Sequence, residues 1–406
     1  MLLVSAPNGL FKQVTAMHIG IVSHVSTAHL AEYLYLKGGE PPGTSGATAP
    51  NLLVIELIKR GYQVSVFALT SGLAENAEYI VHGKGLTIYY GAYRKPKAVI
   101  FDLFKKERRF LKKKILEIRP DVLHAHWQYE YAWAALDTGL PTIVTCRDSP
   151  VKVLLLHKNL YRFCRMIMAY IVLKKSTYIT ATSSYLADEL KKFGVKRNIH
   201  VIPNFEPDWL FSMAQNASKN LQKPLIIMIN NGFDKRKNVG TGIEAFQLFR
   251  KKYPQAELHL YGNSYEVEGE AAQWAASKGL DEQVYYMGYL DFAGLMKSLE
   301  KYTMMVHPSI EETFGNTLTE SMAVGVPVVG GERSGSVPWV IGEAQNGGLL
   351  ADISSPSSIA AAMEKIIQDQ ATYQRFVAFA KKEASDRFSS QKVMDDYIRL
   401  YKDVLS

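Results

Sequence analysis

The sequence predicts an α/β protein that contains two doubly wound parallel sheets. Short apolar segments alternate with longer amphipathic segments along the whole chain, which is typical of parallel sheets covered by helices on both faces. The chain has 406 residues, and because single hydrophobic cores rarely exceed about 250–300 residues, two domains are expected. A polar stretch near the middle, residues 212–223, interrupts the alternation and indicates a boundary.

Ten candidate strands support this prediction, each a short apolar run next to a helical pattern. Those in the first half are residues 19–23, 63–68, 121–124, 142–145 and 178–181. Those in the second half are residues 224–229, 257–261, 284–286, 304–307 and 327–329. We therefore expect a first domain over residues 1–205, a second over 206–386, and a C-terminal helix over 387–406.

The composition excludes several classes of protein. Hydrophobic residues make up 47% and charged residues 21% of the chain, which is ordinary for a globular protein. Only two cysteines, Cys146 and Cys164, are present, so a disulfide scaffold is disfavoured and a reducing cytoplasm fits. Residues 1–16 lack the basic start and long apolar run of a signal peptide. The apolar run 166–173 is far shorter than the roughly 20 residues that a spanning helix needs.

Positive charge is concentrated in one part of the chain. The net charge is +8, but residues 101–200 alone contain 19 Lys and Arg against 9 Asp and Glu. Two helical patterns carry it, and their apolar stripes are expected to pack on the sheet. These stripes are Phe101, Phe104, Leu111, Ile115 and Ile118 in the first, and Leu156, Leu160, Phe163, Ile167 and Ile171 in the second.

The basic faces of these two helices allow three interpretations. They are solvated surface charge, or they contact anionic lipid, to which each Lys or Arg adds about 1 kcal/mol near a membrane surface. On the first helix the residues that would face lipid are Lys105, Lys106, Arg109, Lys112 and Lys113. Nucleic acid is the weakest interpretation, because no DNA- or RNA-binding motif accompanies the charge.

Two glutamates surround the predicted start of a helix within the segment HPSIEETFGNTLTESMA, residues 307–323, which we call the acidic segment. Glu312 lies in the predicted loop, and Glu320 lies one turn inside the helix that we expect from Thr317 onward. The alternative is an ordinary strand–loop–helix connection with two solvated acids. The spacing of the acids and the following Pro-Val-Val run favour a functional site.

The junction of loop and helix in the acidic segment is suited to phosphate. The backbone N–H groups of Gly315, Asn316 and Thr317 would be unpaired donors at the positive end of a helix dipole. One ligand that carries a diphosphate in its middle and hydroxyl groups at both ends would contact this junction and both glutamates. A nucleotide sugar is such a ligand.

The acidic segment resembles the Glu, seven residues, Glu signature of family 4 of the retaining glycosyltransferases. The resemblance extends over nearly the whole chain through segments in the family's order, among them residues 120–127, 202–204, 237–238, 260–263 and 287–290. It implies the GT-B architecture, in which two Rossmann-like domains face a cleft and a C-terminal helix crosses back to the first domain. The first domain would then hold the acceptor and the second the nucleotide-sugar donor.

The resemblance also implies roles for particular residues. Glu312 would contact the transferred sugar, Glu320 would hold the ribose hydroxyls, and His126 would donate a hydrogen bond to the donor sugar. Because a lone histidine is more often structural, the neighbouring His124 is expected to face the core. Gly262 and Tyr289 follow predicted strands where the family holds the nucleotide base through backbone atoms.

A basic loop supplies the candidate that would neutralise the leaving diphosphate. Lys237 is that residue if the loop is functional, and a solvated loop is the alternative. The family usually has an arginine six positions earlier, where this chain has Asn231, so Lys235 or Arg236 would replace that charge. Gly46, in the glycine-rich loop before the first long helix, would approach the diphosphate or acceptor, or lies in an ordinary turn.

Together these features predict a retaining hexosyltransferase-type glycosyltransferase that uses a UDP- or GDP-linked sugar as co-substrate and no separate cofactor. No metal is expected, since the sequence contains no Asp-x-Asp motif. The basic first half favours a lipid-linked saccharide acceptor, as in bacterial capsule, O-antigen or exopolysaccharide assembly, and a cytoplasmic protein on the inner face of the membrane. Two alternatives remain: a nucleotide-sugar epimerase of the same architecture, and a catalytically weak sugar-nucleotide-binding protein.

Overall fold

The computed structural model describes residues 17–44, 47–213, 219–342 and 347–406. The described chain divides into two compact units. The first unit consists of the described residues of Met1–Thr145, Val153–Ile179 and Leu400–Ser406. The second consists of those of Cys146–Lys152 and Thr180–Arg399.

Eight strands form the first sheet: β1 His18–Val22, β2 Gln63–Thr70, β3 Glu78–His82, β4 Leu86–Ala92, β5 Val122–His126, β6 Thr142–Cys146, β7 Tyr178–Ala181 and β8 Ile199–Val201. Their order is β3-β4-β2-β1-β5-β6-β7-β8. β1 pairs in parallel with β2 and β5, and the edge strand β3 is antiparallel to β4. Strand order therefore reverses between β1 and β5, so the carboxyl end of β5 lies at a topological switch point.

The helices of the first half of the chain alternate with these strands. They are a 3-10 helix Ala28–Tyr33 and the α-helices α1 Thr48–Lys59, α2 Pro96–Ile100, α3 Lys105–Ile118, α4 Glu130–Leu136, α5 Pro150–His157, α6 Leu160–Lys175, α7 Ser184–Lys192 and α8 Asp208–Phe211.

Six parallel strands form the second sheet: β9 Leu225–Ile229, β10 Glu257–Tyr261, β11 Val284–Gly288, β12 Met304–His307, β13 Val328–Gly331 and β14 Gly348–Ala351. Their order is β11-β10-β9-β12-β13-β14, which is the Rossmann order with its switch point between β9 and β12. The accompanying helices are α9 Val239–Arg250, α10 Glu270–Ser277, α11 Phe292–Leu299, α12 Asn316–Val324, α13 Val337–Ile341, α14 Pro356–Ile366, α15 Gln370–Phe388 and α16 Ser390–Leu405.

The second sheet is buried on both faces. Ile226 and Met228 of β9 belong to one buried apolar cluster, and the alternating residues Ile227 and Ile229 belong to another. Successive strand residues point to opposite faces, so two separate clusters mean that helices cover both sides. The predicted α/β class with two Rossmann-like sheets is confirmed.

All ten predicted strands are present, but the prediction missed β3, β4, β8 and β14. The strands β3 and β4 pair with each other through a short turn and have no helix between them. They therefore lack the strand–helix alternation on which the prediction depended.

In the first unit, the Tyr401 hydroxyl of α16 forms a 2.8 Å hydrogen bond with His124 Nδ1.

The expected packing of the two basic helices is correct for α3 and wrong for α6. On α3, Phe104, Leu111 and Ile115 are buried as expected, whereas Phe101 precedes the helix and is 90% exposed. On α6, Leu160, Phe163 and Ile167 of the predicted stripe are exposed and Ile171 is half-buried. The core instead receives four residues of the other side: Met168, Ala169, Val172 and Leu173. The reason is that α6 is apolar on more than one side.

Among the described helices, none has the length and apolar character required to span a bilayer.

Candidate functional site

The candidate site of the second unit lies at the carboxyl ends of β9 and β12, where strand order reverses. Open parallel sheets bind ligands at this position, because the loops that follow the two strands diverge and leave a crevice. The loop after β9 carries Lys237, and the loop after β12 carries Glu312. The fold therefore brings together two residues that are 75 positions apart in the chain.

Two cations and a histidine surround the carboxylate of Glu312. Its Oε1 atom lies 2.7 Å from Lys237 Nζ, 3.5 Å from His307 Nε2 and 3.7 Å from Arg236 Nη1. The side chain of Glu312 is only 16% exposed, and that burial alone would raise its pKa. The neighbouring His307 and the charge of Lys237 outweigh the burial and hold the pKa of Glu312 well below its ordinary value. Glu312 is therefore an anion at neutral pH.

Hydrogen bonds within the second unit fix the loop that carries Glu312. The Glu312 carbonyl accepts a hydrogen bond from Ser336 N at 2.9 Å. Thr313 Oγ1 donates to the Arg147 carbonyl at 2.9 Å, and Ser183 Oγ donates to the Thr313 carbonyl at 2.6 Å. Because its backbone is held on both sides, the loop presents Glu312 in one position. Burial lowers the pKa of Arg147 to about 10.

The loop that carries Lys237 is tied to the acidic segment. Asp234 Oδ1 accepts a 3.0 Å hydrogen bond from Lys237 N, and the Arg236 carbonyl accepts one of 2.8 Å from Ile310 N. This arrangement places the Arg236 side chain near Glu312, whereas Lys235 is exposed. Of the two residues that the sequence offers in place of the missing arginine, only Arg236 is close to the acid.

The helix at which the anion site was predicted, α12, begins one residue earlier than expected. Gly315 has a φ of +87° and precedes the first helical residue, Asn316. The N–H groups of Gly315, Asn316 and Thr317 donate to no acceptor in the described part of the chain. Asn316 is held from the side, since its Oδ1 accepts a 2.7 Å hydrogen bond from Asn204 Nδ2. The three N–H groups are free to bind an anion.

Glu320 lies inside α12 as a buried carboxyl group without a donor. Glu320 is 6% exposed, and no described residue donates a hydrogen bond to its carboxylate. Burial raises the pKa of Glu320 to about 7. A buried acceptor without a protein donor is costly, and the hydroxyl groups of a ligand would remove that cost.

A second acid, Glu206, lies beside Glu320 and was missed by the sequence analysis. It is 2% exposed, and its Oε1 accepts a 2.5 Å hydrogen bond from Thr319 Oγ1. Burial and then the charge of Glu320 raise the pKa of Glu206 well above its ordinary value. Proton binding by one of these carboxyl groups therefore depends on the charge of the other. In the sequence, Glu206 follows Phe205 in the short segment after β8, and this was the signal that could have identified it.

Gly262 and Tyr289 follow β10 and β11, as predicted. Gly262 has a φ of +122°, and a Cβ atom there would lie 1.7 Å from the Asn230 carbonyl oxygen. Its N–H donates to the Gly288 carbonyl at 2.9 Å. Only glycine allows this close approach of the two strand ends. Asn231 is exposed, and its Oδ1 accepts a 3.2 Å hydrogen bond from Asn263 N.

His126 belongs to the first unit, where it is the last residue of β5 and fully buried. Its ring stacks on His124, with the ring centroids 4.3 Å apart. His124 is a core residue as expected, and its Nε2 forms a 2.6 Å hydrogen bond with Thr145 Oγ1. Gly46 lies outside the described residues.

The second unit therefore assembles four elements of the predicted site: Glu312, the cations of the Lys237 loop, the start of α12 and Glu320. The sequence analysis gave no role to His307, although it ends β12 and lies against Glu312. In the described ranges, no group of three or more His, Cys, Asp or Glu residues is arranged so that it could hold a metal ion. The predicted metal independence remains a prediction.

Two family models match the chain and together take in both sheets. The model described as Glycosyltransferase Family 4 matches residues 51–205, and the model described as Glycosyl transferases group 1 matches residues 212–383. The chain belongs to the family 4 glycosyltransferases. The resemblance of the acidic segment is thereby confirmed, and the protein is a glycosyltransferase of the group 1 type.

Relatives and solved structures agree with this assignment. The chain is 24% identical to N-acetyl-alpha-D-glucosaminyl L-malate synthase of Bacillus anthracis over 70% of this chain and 75% of that protein. It is 27% identical to the lipopolysaccharide core biosynthesis glycosyltransferase LpsE of Rhizobium meliloti over 55% of this chain and 63% of that protein. The fold is similar to that of sucrose-phosphate synthase from Thermosynechococcus elongatus, with a TM-score of 0.75, 18% identity, and coverage of 96% and 99%. A second similar structure is Anabaena HepE in complex with UDP, with a TM-score of 0.67, 17% identity, and coverage of 96% and 100%.

Proposed function

We propose that this protein is a retaining glycosyltransferase that moves a sugar from a UDP- or GDP-linked donor to an acceptor. The observation that carries the proposal is the arrangement at the start of α12. Three unpaired N–H groups, a cation loop and a buried carboxyl group without a donor lie in one unit, and a nucleotide sugar carries a group that suits each of them. That the similar protein HepE was solved with UDP supports a nucleotide donor.

Each part of the site then has a function that follows from its charge. The diphosphate lies at the start of α12, where the helix dipole and the N–H groups stabilise negative charge. Lys237 and Arg236 stabilise the additional charge that develops on the diphosphate as the bond to the sugar breaks. Glu320 accepts hydrogen bonds from the ribose hydroxyls, and Glu312 contacts the transferred sugar.

The free site holds Lys237 in an ion pair with Glu312, and this has a chemical consequence. The Nζ atom is already 2.7 Å from a carboxylate oxygen, so its charge is largely offset before the donor binds. A diphosphate would draw Lys237 away from Glu312, which then becomes available to sugar hydroxyls. The donor would thus activate both residues in one rearrangement. His126 remains a candidate for positioning the donor sugar.

For the acceptor, we propose a lipid-linked saccharide in the assembly of a bacterial surface polysaccharide, on the cytoplasmic side of the membrane. Two similar proteins, LpsE and LpsD of Rhizobium meliloti, are lipopolysaccharide core biosynthesis glycosyltransferases, which supports this acceptor class. The excess of positive charge in residues 101–200 supports an anionic acceptor. We also propose that the reaction needs no metal ion, since the cations of the site and the start of α12 offset the diphosphate charge.

A thermal-shift screen over UDP- and GDP-sugars tests the donor first. A ligand at 100 times its dissociation constant stabilises the folded state by about 2.7 kcal/mol, so the true donor should raise the melting temperature clearly. The selected donor is then incubated with lipid-linked saccharides, with and without EDTA, and free nucleoside diphosphate is measured. Release that requires the acceptor and survives EDTA is expected. Turnover of the donor to an epimer without acceptor, or binding without any turnover, would refute transfer.

A further inference from the structure

The outer side of α5 and α6 exposes a continuous series of large apolar side chains, which we call the apolar stripe. Six residues form it, with these exposed fractions: Leu155 60%, Leu156 47%, Leu160 65%, Phe163 45%, Ile167 38% and Tyr170 50%. Single exposed apolar residues are normal on proteins, but a contiguous patch usually marks an interaction site.

The apolar stripe is distinct from the side of α6 that packs on the core. At 3.6 residues per turn, Leu160, Phe163, Ile167 and Tyr170 fall on one side of the helix. The buried residues fall on the other side: Met168, Ala169, Val172 and Leu173. The buried side of α6 packs on the core of the first unit. The residues of the apolar stripe lie on the opposite side and remain in contact with water.

The charge around the apolar stripe has a single sign. Between Asp148 and Asp188 the chain contains no acidic residue but six basic ones: Lys152, Lys158, Arg162, Arg165, Lys174 and Lys175. Three of them lie near acids: Arg165 is 3.0 Å from Glu130, Lys175 is 2.9 Å from Asp137 and Lys152 is 3.9 Å from Glu311. Lys158 and Arg162 have no carboxylate partner in the described ranges, and Lys174 is exposed beside the Tyr170 ring.

An apolar surface with a positive rim matches one kind of partner better than others. An anionic bilayer offers an apolar interior for the side chains and negative headgroups for the rim. A second copy of the chain would place two positive rims against each other, which charge repulsion disfavours. We propose that the apolar stripe docks in the plane of an anionic membrane and inserts Leu160, Phe163 and Ile167 among the headgroups.

The basic side of α3, which the sequence analysis favoured for lipid contact, is less available. Lys106 forms an ion pair with Glu75, and Lys113 lies 3.7 Å from Glu117. Lys114 is nearly buried and bound to Glu78 and Glu117. Lys105, Arg109 and Lys112 of α3 form no ion pair in the described ranges, so α3 keeps part of its charge. The stripe of α5 and α6 becomes the primary contact because it adds exposed apolar side chains to the basic charge. This inference deepens the proposed lipid-linked acceptor, on which its biological meaning rests.

The test uses the whole protein and sedimentation with vesicles at low salt, without sugar donor. The vesicles consist of phosphatidylglycerol mixed with phosphatidylcholine, or of phosphatidylcholine alone. Wild type should sediment with the anionic vesicles and far less with the neutral ones. The triple variant Leu160→Ser, Phe163→Ser and Ile167→Ser should lose about tenfold or more in vesicle affinity, because it no longer buries apolar area in the bilayer.

Two controls make the result specific. Val267→Ser with Phe379→Ser removes two exposed apolar side chains from the second unit, which are 76% and 37% exposed, and it should sediment like wild type. Phe163→Trp tests insertion without loss of hydrophobicity, and its emission should shift to the blue when anionic vesicles are added. This second variant keeps the proposal testable if the triple variant does not fold.

Three outcomes would overturn the proposal: no sedimentation of wild type with anionic vesicles, equal affinity of the triple variant, or no shift in Phe163→Trp emission. A stable dimer that depends on the stripe and excludes vesicle binding would identify a second copy as the occupant. Stabilisation by the nucleotide-sugar donor is measured in buffer without lipid and should be the same in the triple variant. Failure of membrane docking is thus distinguishable from failure of the proposed transfer.

Discussion

Removing the charge of Lys237 tests how much the ion pair with Glu312 contributes to the free energy of unfolding. The two side chains are 13% and 16% exposed, and their charged atoms are 2.7 Å apart, so water screens the pair weakly. In Lys237→Met the carboxylate of Glu312 keeps only His307 at 3.5 Å and Arg236 at 3.7 Å. We therefore expect the variant to leave an incompletely compensated buried anion.

The expected cost follows from this geometry. Truncating one partner of a buried ion pair costs about 3–5 kcal/mol when no other counter-charge is present. Since Arg236 and His307 stay near Glu312, we expect a loss of about 2–3 kcal/mol in the free energy of unfolding. The double variant Lys237→Met with Glu312→Gln should recover part of this loss, because it removes the anion as well. A coupling energy of about 1–2 kcal/mol between the two positions is the expected sign of direct contact.

Urea unfolding of both single variants and the double variant measures this coupling. Lys235→Met is the matched control, since Lys235 lies in the same loop but is exposed and has no acidic partner in the described part of the chain. The pKa of Glu312 is lowered in the folded state, so its contribution to stability is present at neutral pH and is lost as pH falls below the ordinary carboxyl range. Equal stability of Lys237→Met and Lys235→Met, or strict additivity in the cycle, would refute the reasoning.

Three further predictions concern the donor. Glu320→Ala should weaken nucleoside diphosphate binding by about 1.5–3 kcal/mol, because charge-assisted hydrogen bonds to ribose are lost; calorimetry that finds unchanged affinity in a folded variant contradicts this role. Glu312→Gln should reduce turnover more than nucleotide affinity, since its proposed partner is the sugar, and an equal loss of affinity for the bare nucleotide would misplace it. Nucleotide affinity should rise with pH across about 7, because burial raises the pKa of Glu320 to about 7 and the ionised form is the better acceptor. In the free protein the same raised pKa has the opposite effect, so the contribution of Glu320 to stability falls as pH rises from 4.5 to about 7, and Glu320→Gln should flatten both profiles.

The sequence predicted the parts of the fold that depend on local pattern. Apolar strands followed by helices located ten strands, and the acidic segment located the start of α12 to within one residue. The paired strands β3 and β4 were missed because they are connected by a turn without a helix. The location of an edge pair depends on which neighbour it joins, and that is not a local property.

The candidate site was predictable wherever a motif carries the chemistry. Glu312, Glu320 and Lys237 were found from the resemblance, and the geometry added His307 and Glu206, whose proximity depends on tertiary contacts. The wrong assignment of the α6 stripe has a physical cause as well. A helix that is apolar on two sides offers two candidate core faces, and hydrophobic periodicity alone does not choose between them.

An outward apolar stripe also determines how this protein should behave away from lipid. Surfaces of this kind lower the solubility of a chain in plain buffer, and the basic rim then provides the repulsion that keeps molecules apart. High salt screens that repulsion over a shorter distance while it leaves apolar attraction in place. Purification at high ionic strength should therefore favour clusters of molecules, and mild detergent should disperse them. Such clusters would reflect the absence of a bilayer rather than a working assembly.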